Sequence, residues 1–404
     1  MSKKLLSYDF IQTIAVLYIV VWSISPPLQL DMIYRLIALG CAGIWMFLWV
    51  FRQNPFVIEK DQLYAVYFLF FVVLVAYIQD GDIDGIIQQI AIYLMVIFYI
   101  MNISYRGKLH YLNIIVPVVL ILLIIWNFKT FEALLDDPSI ARKIVRNDEA
   151  TYEFLRKGIG GYSLVYPQVI IFPAILAWLL TAFKNNKAYF LLGALWLVSY
   201  VLMILNAGYS IAIFTTLVGA LLLFFYNGDS SVKAVIVSIV LFVGAIACII
   251  YVDGFRNWLL EVFDGTAVAK KINDLTASTD SGEASGSWSL RIYAYGSAIS
   301  KIIKYNVFGG LWRMGNTGHS AVLDNVAKYG LVGGYMFLKI LYSVPNYYKK
   351  KYSDSRMKRF VTATFVTVLL VSILDSFTYS FMAMLFIVLP LLLENIIEWK
   401  EVEE

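Results

Sequence analysis

The sequence predicts an all-α, polytopic integral membrane protein, and three observations carry that reading. Of its 404 residues, 60% are apolar and only 15% are charged, and the mean hydropathy is +0.74, well outside the range of soluble chains. Apolar runs of about 17–25 residues recur along the chain, each long enough to cross a bilayer. Among the short loops, lysine and arginine occur in one alternating set only, as expected of a chain threaded repeatedly through a membrane.

The spacing places about twelve spans, at 8–24, 32–51, 62–79, 85–102, 110–128, 162–183, 188–205, 209–226, 234–252, 320–343, 360–375 and 380–397. They group as five spans over 1–128, an outer loop at 129–161, four spans over 162–252, a large outer loop at 253–319, and three last spans over 320–404. Lys3 and Lys4 precede the first apolar run with no small-residue cleavage site after it, so that run reads as an uncleaved helix. Cys41 and Cys248 fall inside apolar runs and form no disulfide framework. One alternating set of loops carries Lys3, Lys4, Arg52, Lys60, Arg106, Lys108, Lys184, Lys187, Lys233 and Lys349–Lys351, whereas 25–31, 80–84, 206–208 and 376–379 carry no Lys or Arg. That asymmetry predicts both termini in the cytoplasm.

Of the two long outer loops, 129–161 is polar and mixed in charge. In the larger one, the Ser/Gly-rich stretch Ala277–Ser289 is expected to be mobile. Ile292, Ala294, Tyr295, Ala298, Ile299, Ile302 and Ile303 then recur at helical spacing, predicting an amphipathic helix of about 290–305 near the membrane surface. The spans show no internal repeat, which counts against a transporter built from inverted halves.

The richest stretch is Gly309–Gly334, where a glycine-rich loop runs into an apolar helix expected to continue to about Ser343. His319, one of two histidines in the chain, stands at the junction. A histidine at the mouth of a membrane helix is either an interfacial cap or a catalytic group; Asp324, Asn325 and Lys328 nearby favour the second. Asp324 and Lys328 are four residues apart and share a helix face, with Lys328 roughly 13 Å below His319. A buried ion pair that fixes helix packing and a polar cleft open to the outer face both account for them. Asp375, at the outer end of the eleventh span, is placed to face the same cleft.

Arg156, Arg256, Arg291 and Arg313 are all predicted on the side where His319 lies. Their guanidinium forks suit a phosphate-bearing lipid headgroup, with ordinary salt bridging to nearby acids as the competing reading. The acidic turn Asp80-Gly-Asp82-Ile-Asp84 has the composition of a hard-cation site. A solvated turn with Asp84 capping the next helix is the favoured reading, because so short a motif arises easily by chance. No metal or cofactor is expected. Snorkelling toward the interface accounts for Lys339.

Ser289-Leu-Arg291, the surface helix, Asn306-Val-Phe-Gly-Gly310, and Gly318-His-Ser320 leading to Asp324 and Tyr329-Gly330-Leu-Val-Gly333 together resemble the bacterial O-antigen polymerase and ligase family. The resemblance is strongest to its Wzy-type polymerases of capsular and exopolysaccharide clusters. Gly160-Gly-Tyr162-Ser-Leu-Val-Tyr166 is similar to the same group. Val307 stands where the family usually has proline, Ser320 where ligases have asparagine, and Ser210-Ile211 where many relatives carry an arginine. The resemblance implies a GT-C-like, metal-independent glycosyltransferase acting at the outer face of the cytoplasmic membrane. Its donor would be a growing glycan on undecaprenyl diphosphate and its acceptor a lipid-linked repeat unit. His319 would act as general base on the acceptor hydroxyl. Arg291, with one of Arg156, Arg256 or Arg313, would hold the diphosphate leaving group, with Tyr162, Asp324 and Asp375 among the substrate-binding residues. Partners would be membrane lipid and a chain-length regulator, and no nucleic acid. A ligase that moves finished glycan to another acceptor and a lipid-linked oligosaccharide flippase are the alternatives. The flippase is disfavoured because so much polar chain is gathered into one outer loop.

Overall fold

The computed structural model describes residues 8–52, 60–78, 114–140, 143–144, 149–226, 231–266, 268–269, 272–273, 287–309, 319–352, 354–376 and 378–403. Every regular element among them is helical. In chain order they are α1 (Tyr8–Ile24), α2 (Met32–Arg52), α3 (Lys60–Ile78), α4 (Ile115–Asp136), α5 (Glu149–Arg156), α6 (Tyr162–Asn185), α7 (Lys187–Ala207), α8 (Ser210–Phe225), α9 (Ser231–Tyr251), α10 (Asp253–Val262), α11 (Ser287–Lys304), α12 (Ala321–Lys351) and α13 (Ser355–Leu374). The last helix, α14, comprises Tyr379–Ala383, a π-helical turn Met384–Val388 and Leu389–Glu403.

Five of these are long and apolar enough to cross a membrane: α4, α6, α7, α13 and the Tyr379–Trp399 part of α14. Shorter apolar segments lie at Phe10–Ile24, Met32–Leu48, Leu63–Val75 and Ser210–Phe224. An all-helical chain of this kind is consistent with a polytopic membrane protein. The span expected at 85–102 and the acidic turn Asp80–Asp84 lie outside the described residues.

α6 and α14 form the centre of the bundle, with α13, α8 and α7 packed around α6. Side chains outside this core face outward as apolar surface, for example Phe70, Phe183, Leu191, Leu217 and Phe224. α6 tolerates two internal prolines, Pro167 and Pro173, both buried. Beside Pro173, Gly219 of α8 lets three helices meet. A Cβ at Gly219 would lie 2.7 Å from Thr367 Cγ2 of α13 and 3.1 Å from Pro173 Cγ.

The fifth span departs from its expected bounds. The helix expected at 110–128 runs to Asp136, two turns into what reads as a polar loop. Its Asn127 and Thr130 point inward: Asn127 Nδ2 donates to Gln168 Oε1 at 3.0 Å and to Ser199 Oγ at 3.2 Å. Gln168 Nε2 answers to Asn127 Oδ1 at 2.8 Å, and Trp196 Nε1 donates to Gln168 Oε1 at 2.9 Å. With no water available in an apolar bundle, such a network ties α4, α6 and α7 in one register. One turn further on, Thr130 Oγ1 accepts from the Gly160 N–H at 2.9 Å and pins the segment leading into α6.

Of the turns that lack Lys and Arg, those at 25–31, 206–208 and 376–379 gather at one end of the bundle among the described residues. Ser380 reaches Gln29 and the Ser23 carbonyl, and Tyr162 at the start of α6 stacks on Tyr209 at the start of α8. At the other end Trp178, Tyr189 and Trp399 pack together, and Lys351 pairs with Glu394.

Candidate active site

Four segments distant in sequence meet at the end that lacks short-loop cations. Arg291 lies in the second turn of α11 and aims at the C-terminal end of α13. Its Nη1 donates to the Leu374 carbonyl at 2.7 Å, and its Nη2 lies 3.8 Å from Asp375 Oδ2. Both side chains are largely buried, at 13% and 9% exposed. One helical turn after Arg291, the Tyr295 hydroxyl bridges two carbonyls, 3.3 Å from that of His319 and 3.2 Å from that of Leu374. The Ala321 N–H donates to the Asp375 carbonyl at 2.8 Å. Ser320 caps α12 by accepting from the Leu323 N–H at 3.1 Å.

His319 is half-buried, and its imidazole is near enough to act electrostatically on the Asp375 carboxyl. The phenol of Tyr166 also interacts with that carboxyl. Tyr166 belongs to a ring cluster, with Tyr162 at 5.4 Å and Tyr209 at 6.2 Å, and Tyr162 and Tyr209 are 4.6 Å apart. The left-handed Gly158 and the close-packed Gly160 and Gly161 bring this cluster into place, because Cβ atoms there would strike Trp126, Leu164 and Ile144.

The electrostatics follow from burial. Burial lifts the Asp375 carboxyl, the first residue beyond α13, above the usual carboxylate range, and Arg291 opposes this only in part. Burial pulls the Arg291 guanidinium down, but Asp375 and the Tyr295 hydroxyl outweigh it, so Arg291 titrates above its usual range and stays charged. Asp375 Oδ1 accepts from the Ser376 N–H at 2.8 Å. Its Oδ2 accepts no hydrogen bond among the described residues. The result is a fixed cation, a half-buried imidazole and a carboxylate oxygen with spare accepting capacity, set within one small volume.

No family model matches the chain, and no curated protein matches it either.

Of the residues singled out from the sequence, Arg291, His319, Asp375 and Tyr162 come together here. Asp324, in the first turn of α12, is within electrostatic reach of Tyr295 and of Lys328. Lys328 lies over the Tyr329 ring, 5.5 Å from its centroid. Arg256 and Arg156 are not joined to the cluster by any hydrogen bond or ion pair among the described residues. Arg256 pairs with Asp253 in its own helix, and Arg156 is exposed at the end of α5, which packs on the turn Pro26–Gln29. Arg313 lies outside the described residues. Lys339 packs between Tyr64 and Tyr335, at 5.9 and 5.3 Å from their ring centroids. Sequence reading missed Tyr166, Tyr209 and Tyr295. Tyr295 had a usable signal, since it sits four residues after Arg291 on the same helix face.

Two expectations for this region change. The helix expected to run unbroken to Ser343 extends to Lys351 and is interrupted at Gly330, where φ is 73° and ψ −176°. The amphipathic helix begins at Ser287, inside the stretch expected to be mobile, and packs along α12. Ala294 and Ala298 are buried, small enough to allow that approach.

Proposed function

We propose that the chain is a polysaccharide polymerase of the O-antigen polymerase kind, a GT-C-like membrane glycosyltransferase with about twelve spans. In this reading both termini lie in the cytoplasm and the Arg291–His319 cluster opens at the outer face of the cytoplasmic membrane. The donor is a growing glycan on undecaprenyl diphosphate, and the acceptor is a lipid-linked repeat unit of a capsule, exopolysaccharide or O-antigen.

The observation that carries this reading is the meeting of Arg291, the His319–Ser320 cap and Asp375 at the bundle end whose turns lack Lys and Arg. A buried, permanently charged guanidinium suits a diphosphate leaving group, whose charge grows as the sugar–oxygen bond breaks. An imidazole has the proton affinity to accept the acceptor hydroxyl proton near neutral pH. The balance is simple: the anomeric carbon–phosphate oxygen bond breaks, and the anomeric carbon–acceptor oxygen bond forms. The proton passes to His319 and the charge to the diphosphate beside Arg291. The sugar–diphosphate bond supplies the driving force, so no nucleotide is needed.

The test is turnover of a lipid-diphosphate-linked oligosaccharide by purified protein in vesicles. His319→Ala should lower glycan extension by about 10²–10⁴-fold, the usual contribution of a general base, while the variant remains folded. Extension at the native rate by His319→Ala would reduce the histidine to a helix cap and end this mechanism.

A further inference from the structure

α11, which carries Arg291, runs beside the first part of α12 and in the same direction. At its upper end the tie is Tyr295 to the His319 carbonyl. At its lower end the Leu331 N–H donates to the Asn306 carbonyl at 2.9 Å, and the Val332 N–H to the Val307 carbonyl at 3.3 Å. In an unbroken helix those two N–H groups would bond to the carbonyls of residues 327 and 328. The segment following α11 therefore supplies the acceptors that let α12 break.

Two glycines make the junction possible. Gly309 and Gly330 both have φ of 73°, a conformation that L side chains rarely adopt. They also touch backbone to backbone. A Cβ on Gly309 would lie 2.3 Å from the Gly330 nitrogen, and a Cβ on Gly330 would lie 2.2 Å from the Val307 oxygen. Either glycine replaced by any other residue forces the two chains apart.

The junction also divides α12 by role. Beyond Gly330 the helix is anchored in the bundle by Phe337, Ile340, Leu341 and Val344, all at most 3% exposed. Before it lies the short piece that begins at His319, which is tied to the bundle at its far end by the Ala321 N–H to the Asp375 carbonyl. α11 is likewise tied at its far end, by Arg291 to the Leu374 carbonyl. At their near ends the two pieces meet at the same crossing, beside the packing of Tyr329 on Phe68 of α3.

We infer that the Gly309–Gly330 crossing is a positioning joint that sets Arg291 and His319 at a fixed separation. The joint is a matter of geometry; its consequence for turnover rests on the reaction proposed above. A misplacement of about 1 Å at reacting groups costs on the order of 10²-fold in rate, so backbone separation at the joint is expected to reach the chemistry.

The experiment uses spin labels at Tyr293 on α11 and Leu217 on α8, both exposed, in full-length protein with Cys41 and Cys248 replaced by serine. A Leu217–Leu195 pair within the bundle reports global fold. Two variants load the joint differently. Gly330→Ala introduces the Cβ clash. Leu331→Pro removes the donor to Asn306 but suits the first position of the second helical piece, and the extended ψ of Gly330 suits a following proline. The expected result is a shifted or broadened Tyr293–Leu217 distance, an unchanged Leu217–Leu195 distance, and glycan extension reduced by about 10²-fold. An unmoved Tyr293–Leu217 distance in both variants overturns the joint. A moved distance with native turnover overturns its positioning role. If native protein turns over no lipid-diphosphate-linked glycan while the distance moves, the joint stands and the reaction assigned to it falls.

Discussion

Two ion pairs sit at opposite ends of the bundle, and they are built differently. At one end Lys351 Nζ lies 2.6 and 2.7 Å from the two oxygens of Glu394. The rings of Tyr347 and Tyr348 flank the ammonium, and the hydroxyls of Tyr348 and Tyr352 bond to carbonyls of the same α14 segment. At the other end Arg291 and Asp375 stand 3.8 Å apart, and the arginine's best hydrogen bond goes to a carbonyl. One carboxylate oxygen of Asp375 accepts no hydrogen bond among the described residues. A pair that exists to lock helices closes on itself and saturates its donors and acceptors. A pair held slightly open keeps charge and hydrogen-bonding capacity for something else.

The largest stability effect is expected at the closed pair. Lys351→Met leaves Glu394, 6% exposed, without its partner. Removing one member of a buried pair costs about 3–5 kcal/mol, and the low end applies because Lys351 is partly open to water. Thermal unfolding of the solubilised protein measures it. Asp375→Asn, nearly isosteric, should cost less in the same measurement, because burial already disfavours the ionised carboxyl, Arg291 keeps its bond to the Leu374 carbonyl and the acceptor for Ser376 is retained. Equal losses at the two ends would erase the contrast.

The same two ends show how much was legible in the sequence. Periodicity placed most of the long apolar helices to within a few residues, since apolar surface dominates them, whereas the short helices α5 and α10 fall in stretches that read as loop. α4 overran its expected end because its second half carries Asn127 and Thr130, whose partners Gln168 and Gly160 are far away in sequence; α12 overran too. His319 and Asp375 stood out as ionisable groups at the ends of apolar helices and Arg291 as an arginine of the large outer loop, and the three meet. Their exact company was not readable. Tyr166 sits inside an apolar run, where an aromatic residue reads as packing. Gly330 reads as a tolerated glycine in a helix, and only the approach of Gly309 turns it into a break. The Lys351–Glu394 lock was hidden for a similar reason: a lysine run at a helix end already has a sufficient explanation in membrane orientation.

We propose that the Arg291 end binds lipid diphosphate and that the Lys351 end is structural. Equilibrium binding of a lipid diphosphate to purified native protein, Arg291→Ala and Lys351→Met tests it most directly. A charge-assisted contact of about 1.5–3 kcal/mol converts to a loss of about 10–100-fold in affinity for Arg291→Ala. Lys351→Met, measured below its own unfolding temperature, should bind as the native protein does. Native affinity in Arg291→Ala, or equal losses in both variants, would contradict the account.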